Sequence, residues 1–282
     1  MILAIASGKG GTGKTTLAVN LASVWGAPVQ LLDCDVEEPN AHLFLPGRTL
    51  REEVCAIPIP QVDAALCDGC GACSRLCAFH AIAVAGATAL VFPELCHGCG
   101  GCAMICPRHA LREMPHRIGV VATCQAGPIT LVQGKLDIGV PTATPLIRAV
   151  RRQLRPGMAA ILDAPPGASC PVVAAVRGAD LVLLVTEPTP FGLHDLTLAV
   201  EMLRQLATPF GVVINRIGIG DDRVHAFCDR EEIPLLAEIP DDRAIAEAYC
   251  RGDLIVEALP RYRSLFEDLR DKVAEILKPA GV

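Results

Sequence analysis

Lysine is scarce in this sequence, with five against twenty arginines, and no excess of positive charge offsets a formal net charge of −6. That balance excludes a general nucleic-acid binder, and the local basic run Arg148, Arg151, Arg152 and Arg155 reads as a solvated helix surface. No apolar run approaches the ~18 residues a membrane-spanning helix needs, and the N-terminus carries neither a basic leader nor a long apolar core. The expectation is a cytoplasmic protein with no membrane partner. Half of the residues are apolar and a fifth are charged, which suits a globular chain able to bury a large core in one main domain, with or without a smaller one.

What is present begins at the N-terminus. The apolar run from Ile2 to Ala6 reads as a buried strand, and Leu17 to Trp25 has helical character. Between them lie Ser7, Gly8, Lys9, Gly10, Gly11, Thr12, Gly13, Lys14, Thr15 and Thr16. The register Gly8-x4-Gly13-Lys14-Thr15 fits a phosphate-binding loop in its strand-loop-helix setting. Glycines let the backbone turn its N–H groups around phosphate oxygens, and the following helix N-terminus favours negative charge. Lys14 is expected to neutralise the terminal phosphates, and Thr15 to ligate Mg2+.

The second feature is cysteine, with fourteen in the chain. In a reducing compartment these are metal ligands or thiols rather than disulfides. Eight of them form two runs, Cys67-x2-Cys70-x2-Cys73-x3-Cys77 and Cys96-x2-Cys99-x2-Cys102-x3-Cys106. This internal repeat is the bacterial ferredoxin pattern for two 4Fe-4S clusters, in which the fourth cysteine of each run serves the other cluster. That pattern groups Cys67, Cys70, Cys73 and Cys106 on one cluster, and Cys96, Cys99, Cys102 and Cys77 on the second. Gly69, Gly71, Gly98, Gly100 and Gly101 allow the tight curl this needs. Structural zinc is the competing reading. Ala78 stands where proline is usual after the fourth cysteine, a change expected to loosen the turn or expose the second cluster. Outside the runs, Cys34, Cys55, Cys124, Cys170, Cys228 and Cys250 are expected to be mostly small buried apolar residues.

Lys9 narrows the family. The run Lys9-Gly10-Gly11-Thr12-Gly13-Lys14-Thr15-Thr16 resembles the deviant phosphate-loop ATPases of the MinD, ParA, Mrp and nitrogenase iron protein group. The resemblance implies ATP as the nucleotide and a homodimer in the ATP state, with Lys9 reaching the partner subunit's phosphates. It further implies that Asp35, in the acidic segment Asp33 to Asn40, positions the attacking water, with Asp33 nearer the metal. Asp163, in Asp163-Ala164-Pro165-Pro166-Gly167, matches the residue that holds the magnesium hydration shell. Asn215, followed by Arg216, matches the adenine-recognising asparagine, and Pro240 and Asp241 complete the surroundings of the base. Glu187 to Gly192 resembles the matching segment of relatives carrying an inserted ferredoxin. Cys170 lies near where the nitrogenase iron protein ligates a subunit-bridging cluster.

The fold expected is a doubly wound, mostly parallel α/β sheet with an inserted α+β dicluster ferredoxin domain. Its parts would be residues 1–57 and 116–282 for the ATPase and 58–115 for the insert. The leading functional expectation is an ATPase whose dimer closure gates electron transfer from two 4Fe-4S clusters to a redox partner. The alternative is a metallocluster assembly or carrier ATPase with an acceptor protein. The amphipathic segment from Arg261 to Leu277 has mixed charges, unlike the basic polar face of a membrane-surface helix.

Overall fold

The structure is a computed structural model that describes residues 1–278. Strand β1 (Ile2–Ala6) feeds the glycine-rich loop and helix α1 (Lys14–Ser23), and β2 (Val29–Asp33) follows. Then comes β3 (Arg48–Val62), followed by α2 (Ala72–Leu76), β4 (Ile82–Ala85), β5 (Thr88–Val91) and α3 (Gly101–Ile105). The chain returns through β6 (Leu111–Ala126) and β7 (Ile129–Leu136) to α4 (Thr144–Arg151), β8 (Ala159–Asp163) and α5 (Cys170–Val176). Next are β9 (Leu181–Thr186), α6 (Pro190–Gln205), β10 (Phe210–Ile217) and β11 (Leu235–Pro240), and the last helix is Arg263–Ile276.

Nine strands form one sheet in the order β11-β10-β9-β1-β8-β2-β7-β6-β3. From β11 to β7 every pairing is parallel, while β6 and β3 add an antiparallel edge. Strand residues alternate between two cores, as a period of two requires. Leu3 and Ile5 of β1 face α1 and the last helix, whose Phe266, Leu269 and Val273 are buried with Leu17 and Leu21. Ala4 and Ala6 face the other layer, where Leu146 and Ile147 of α4, Val172 of α5 and Leu196 of α6 are buried. The apolar face of the C-terminal helix is thus committed to the core. Among the described residues no helix is long and apolar enough to cross a membrane.

The antiparallel edge departs from expectation. β3 was not anticipated, yet it pairs with β6 from Arg48 with Gln125 to Val62 with Leu111. The boundaries at 57/58 and 115/116 fall inside this ribbon, where Pro58 faces Pro115. The expected self-contained insert is therefore not a separate body, because its ends are continuous with strands of the main sheet. Prolines at 58 and 60 break a strand pattern in sequence, but β3 is the outermost strand, and an edge tolerates a missing N–H. Only residues 63–110 lie off the sheet. They hold α2, α3 and the β4–β5 hairpin around a small core of Cys73, Ile82, Ala89 and Leu111.

Candidate functional site

The glycine-rich loop leaves β1 between the two core layers and is shaped by contacts that exclude side chains. Gly11 and Gly13 lie in the left-handed region, at φ 75° and 95°. A Cβ on Gly8 would collide with the Asp195 backbone, and one on Gly13 with the Asn215 carboxamide. Ser7 Oγ donates to the Lys9 carbonyl at 2.6 Å. Thr12 Oγ1 is buried without a partner. Lys14 opens α1 and is buried; desolvation lowers its pKa, while the carboxylates of Asp163 and Asp35 act to raise it.

Three aspartates converge from two adjacent strand ends. Asp33 of β2 and Asp163 of β8 occupy paired positions, and both are fully buried. Thr15 Oγ1 donates to Asp163 Oδ2 at 2.5 Å. Asp163 Oδ1 is buried with no partner. Burial pushes the Asp163 pKa up to about 7, against the stabilising Thr15 hydroxyl and Lys14 charge. An oxygen left bare beside the hydroxyl of Thr15 is what a hydrated magnesium ion would satisfy. Asp35 is half-buried, its pKa raised by desolvation and held back by Lys14.

Asp33, paired with Asp163, is also engaged by its own loop. Its Oδ2 accepts from the backbone N–H groups of Asn40 at 3.0 Å and Ala41 at 3.1 Å, and its Oδ1 from that of Asp35 at 3.2 Å. Burial and the neighbouring Asp163 push its pKa well up, while the loop amides oppose the shift. The geometry makes Asp33 a clamp on its own loop, positioning Asp35.

Lys9 and Arg216 are drawn to one residue that the sequence reading did not single out. Glu187, at the end of β9 and 5% exposed, has Oε2 2.7 Å from Lys9 Nζ and Oε1 2.9 Å from Arg216 Nη1. An acidic residue directly after the apolar run Leu181 to Thr186 was the available signal, since β9 lies beside β1. Asn215 is likewise committed within the chain. Its Nδ2 donates to the Thr12 carbonyl at 2.8 Å, and its Oδ1 accepts from Arg216 N at 2.9 Å. Pro240 ends β11 and Asp241 N donates to the Ile217 carbonyl at 2.9 Å, which brings this turn against the end of β10.

The two cysteine runs fold alike, turn for turn. Gly69 and Gly71 are matched by Gly98 and Gly100, all at positive φ, and His80 (φ 53°) is matched by His109 (φ 49°). Ala81 N donates to Cys77 Sγ at 3.3 Å, and Ala110 N to Cys106 Sγ at 3.4 Å. The turn after Cys77 keeps the bond from His80 N that its counterpart after Cys106 receives from His109 N. Ala78 in place of proline has therefore not loosened it. The Phe79 and His97 rings stack at 3.7 Å between centroids and tie the two runs together.

Cys67, Cys70, Cys73 and Cys106 line one cavity, together with Gly69, Gly71 and Arg108. N–H bonds from Gly69 and Ala89 hold the Cys67 pKa below the usual thiol value. Burial raises Cys73, and raises Cys102, beside Cys96 and Cys99, to about 11. Among the described residues, no group of three or more His, Cys, Asp or Glu side chains is arranged to hold a single metal ion. Of the six cysteines outside the runs, only Cys34 and Cys228 are buried. Cys55 and Cys124 are half-buried, and Cys170 and Cys250 are exposed, so burial accounts for fewer of them than expected.

Comparison with known proteins places this geometry. The chain is similar to an uncharacterized protein of Methanocaldococcus jannaschii, at 29% identity over 287 residues, covering 98% of this chain and 96% of that protein. It is similar to an iron-sulfur cluster carrier protein of Pyrococcus horikoshii, at 24% identity over 304 residues, covering 99% of this chain and 88% of that protein. Its fold matches the septum site-determining protein MinD complexed with Mg-ADP from Pyrococcus horikoshii, with a TM-score of 0.61 at 21% identity over 98% of this chain and 96% of that one. Residues 3–255 match the CobQ/CobB/MinD/ParA nucleotide binding domain. With a deviant phosphate loop on a doubly wound sheet and a match over most of its length, the chain belongs to the CobQ/CobB/MinD/ParA family and is a P-loop ATPase.

Proposed function

We propose that this ATPase handles metalloclusters: nucleotide state governs the loading of an iron-sulfur or related cluster on the cysteine module and its release to an acceptor protein. The observation that carries the reading is the cavity lined by Cys67, Cys70, Cys73 and Cys106, drawn from both runs. N–H groups are aimed at the sulfurs of Cys77 and Cys106, as they are around cluster-bound sulfur, and hydrogen bonds hold the Cys67 pKa down. A relative covering most of the chain bears the name iron-sulfur cluster carrier protein, and this supports cargo over resident redox centre.

In this proposal Cys96, Cys99, Cys102 and Cys77 form a second cluster set, and residues 58–115 act as the functional module between ATPase parts 1–57 and 116–282. The β3–β6 ribbon is the mechanical link. It begins soon after the Asp33 to Asn40 loop and ends at the module, so a displacement of the loop on nucleotide binding travels along paired strands. Thr15 and Asp163 would hold Mg2+, which neutralises phosphate charge when bound. Lys14 and the loop N–H groups bind the phosphates, and Asp35 orients the attacking water. Lys9 exchanges Glu187 for the phosphates of a second copy, and Asn215, Arg216, Pro240 and Asp241 frame the base. We further propose that the protein works in the cytoplasm.

The test is anaerobic reconstitution with labelled iron and sulfide, followed by incubation with an apo-acceptor in ATP or ADP. Label that moves to the acceptor only under ATP supports the carrier. A second reading, ATP-gated electron transfer from resident clusters, is favoured by the presence of two complete four-cysteine sets, more than one cargo site needs. Label that stays on the protein while a bound redox partner is reduced selects it.

A further inference from the structure

Away from both sites, α4 and α5 border an open cleft of about 790 Å³ lined by Thr144, Arg148, Arg151, Arg152, Cys170 and Arg177, with apolar residues between. This size falls in the range of about 300–1,000 Å³ typical of small-ligand sites. No carboxylate lines it. Most arginines elsewhere find acidic partners, as Arg117 does in Asp137, Arg204 in Glu231 and Arg243 in Glu247, although single arginines such as Arg48 and Arg112 find none among the described residues. Among the described residues the four cleft arginines form no ion pair, although the chain carries six more negative than positive charges. Arg148, Arg152 and Arg155 are exposed, as a solvated helix surface requires, and Arg151 is the member of the run that turns inward. Arg177 comes from the end of the neighbouring helix, and Arg151 is half-buried, with Nη1 donating to the Ala174 carbonyl at 2.9 Å. Four like charges around one concavity repel one another, and desolvation disfavours the charged form of Arg151.

We propose that this cleft binds a small polyanion, a compact molecule bearing two or more phosphate or carboxylate groups, and that its occupancy is coupled to nucleotide state. Guanidinium forks suit such groups because they donate in pairs to planar or tetrahedral oxyanions. The coupling follows from what the cleft touches. α5 begins three residues after Gly167, whose N–H bonds the Ser7 carbonyl at the head of the phosphate loop. Leu146, Ile147 and Val150 of α4 share a buried layer with Cys34 and Val36, which flank Asp35. A ligand drawing α4 and α5 together therefore works on the walls of both nucleotide-sensing segments, and linkage makes the effect reciprocal. The proposal does not depend on what the cysteine module carries.

Calorimetric titration of the full chain, with the phosphate loop saturated by Mg-ADP and ionic strength fixed, tests it with pyrophosphate and with citrate as probes. Saturable one-to-one binding is expected for at least one probe, and which one binds separates a phosphate from a carboxylate ligand. The Arg148→Glu/Arg152→Glu protein should bind that probe about tenfold or more weakly, with ADP affinity and melting temperature in the absence of probe unchanged. The milder Arg148→Gln/Arg152→Gln protein guards against misfolding and should also weaken binding. In wild type the saturating probe should shift ATP affinity, and the variants should lose that shift. Failure of both probes to bind saturably, or equal binding by wild type and variants, overturns the site. An unshifted ATP affinity overturns the coupling.

Discussion

The nucleotide half and the cysteine module are held together in different ways. Around the sheet, two extensive apolar layers bury Leu3, Ile5, Leu31, Leu146, Leu162 and Phe266 almost completely. The phosphate loop is shaped there by protein contacts alone: the Asn215 carboxamide, the Asp195 backbone and the Glu187 carboxylate. Around residues 63–110 the separate buried cluster is only Cys73, Ile82, Ala89 and Leu111, with Cys67, Cys102 and Cys106 packed around it, while Ala81 and Cys96 join one of the main layers. Such a core is too small to offset chain entropy by apolar burial alone. The engine is preorganised, whereas the module's cohesion depends on whatever joins its thiolates. A cluster carrier requires that division, because a module tightly folded without cargo would gain nothing from loading.

The largest expected effect comes from emptying the module. When ligand binding completes a small core, its free energy becomes folding free energy. Removal of iron under anaerobic conditions, or Cys73→Ala with Cys102→Ala, should abolish amide-exchange protection across residues 63–110. The strands from β1 to β11 should keep theirs, and ADP should still bind. Loss of protection in both halves together would break the comparison. The interleaving can be sharpened in the same experiment, since Cys106→Ala should remove the iron set by Cys67, Cys70 and Cys73 and spare the other.

Next in size is Lys9→Ala, which leaves Lys14 and the loop N–H groups in place. Monomeric ATP binding and iron content should persist, while ATP-dependent dimerisation is lost and hydrolysis falls by about 10³-fold or more, as for comparable trans-acting cations. Sedimentation with ATP or ADP, alongside phosphate release, reads both. Glu187→Gln should act oppositely on dimerisation by freeing Lys9 from its own chain, so that dimers form at lower protein concentration.

A smaller effect is a pH dependence confined to the nucleotide half. The folded pKa of Asp163 is about 7 in the metal-free protein, above its unfolded value. Its contribution to stability is fully present below the unfolded pKa and is lost as pH rises through about 7. Metal-free Asp163→Asn should therefore melt above wild type at pH 8, with the difference shrinking toward pH 5. Added Mg-ADP should raise wild type more than the variant, which keeps Lys14 and the loop N–H groups but lacks a metal ligand. The smallest effect is Ala78→Pro. Because the turn after Cys77 already matches its proline-bearing counterpart, iron content and exchange in the module should stay within error of wild type.

Legibility in the sequence followed the range of the interactions. The phosphate loop could be read because its glycine spacing and Lys14-Thr15 pair are local requirements, and the cysteine runs because their spacing is covalent. β3 was hidden because Pro58 and Pro60 interrupt it and most of its side chains are exposed, so alternation is faint. The amides that fold back on Asp33 were not legible, because a strand-end position cannot show which backbone groups return to it. Glu187 and the arginine cleft depend on residues brought together across elements, Lys9 with β9 and Arg148 with Arg177, so an acidic strand end and a basic run were visible locally but their partners were not.

The central claim, that nucleotide state controls release of a cluster from the module, is tested most directly by following iron rather than phosphate. Protein loaded anaerobically with labelled iron is mixed with an apo-acceptor and given ATP, ADP or no nucleotide, beside an Asp35→Ala protein loaded in the same way. The account predicts that label leaves wild type with ATP and remains with ADP, and that Asp35→Ala loads normally but does not complete delivery. Label that stays on wild type through many rounds of hydrolysis, or leaves at the same rate in all three conditions, would contradict it.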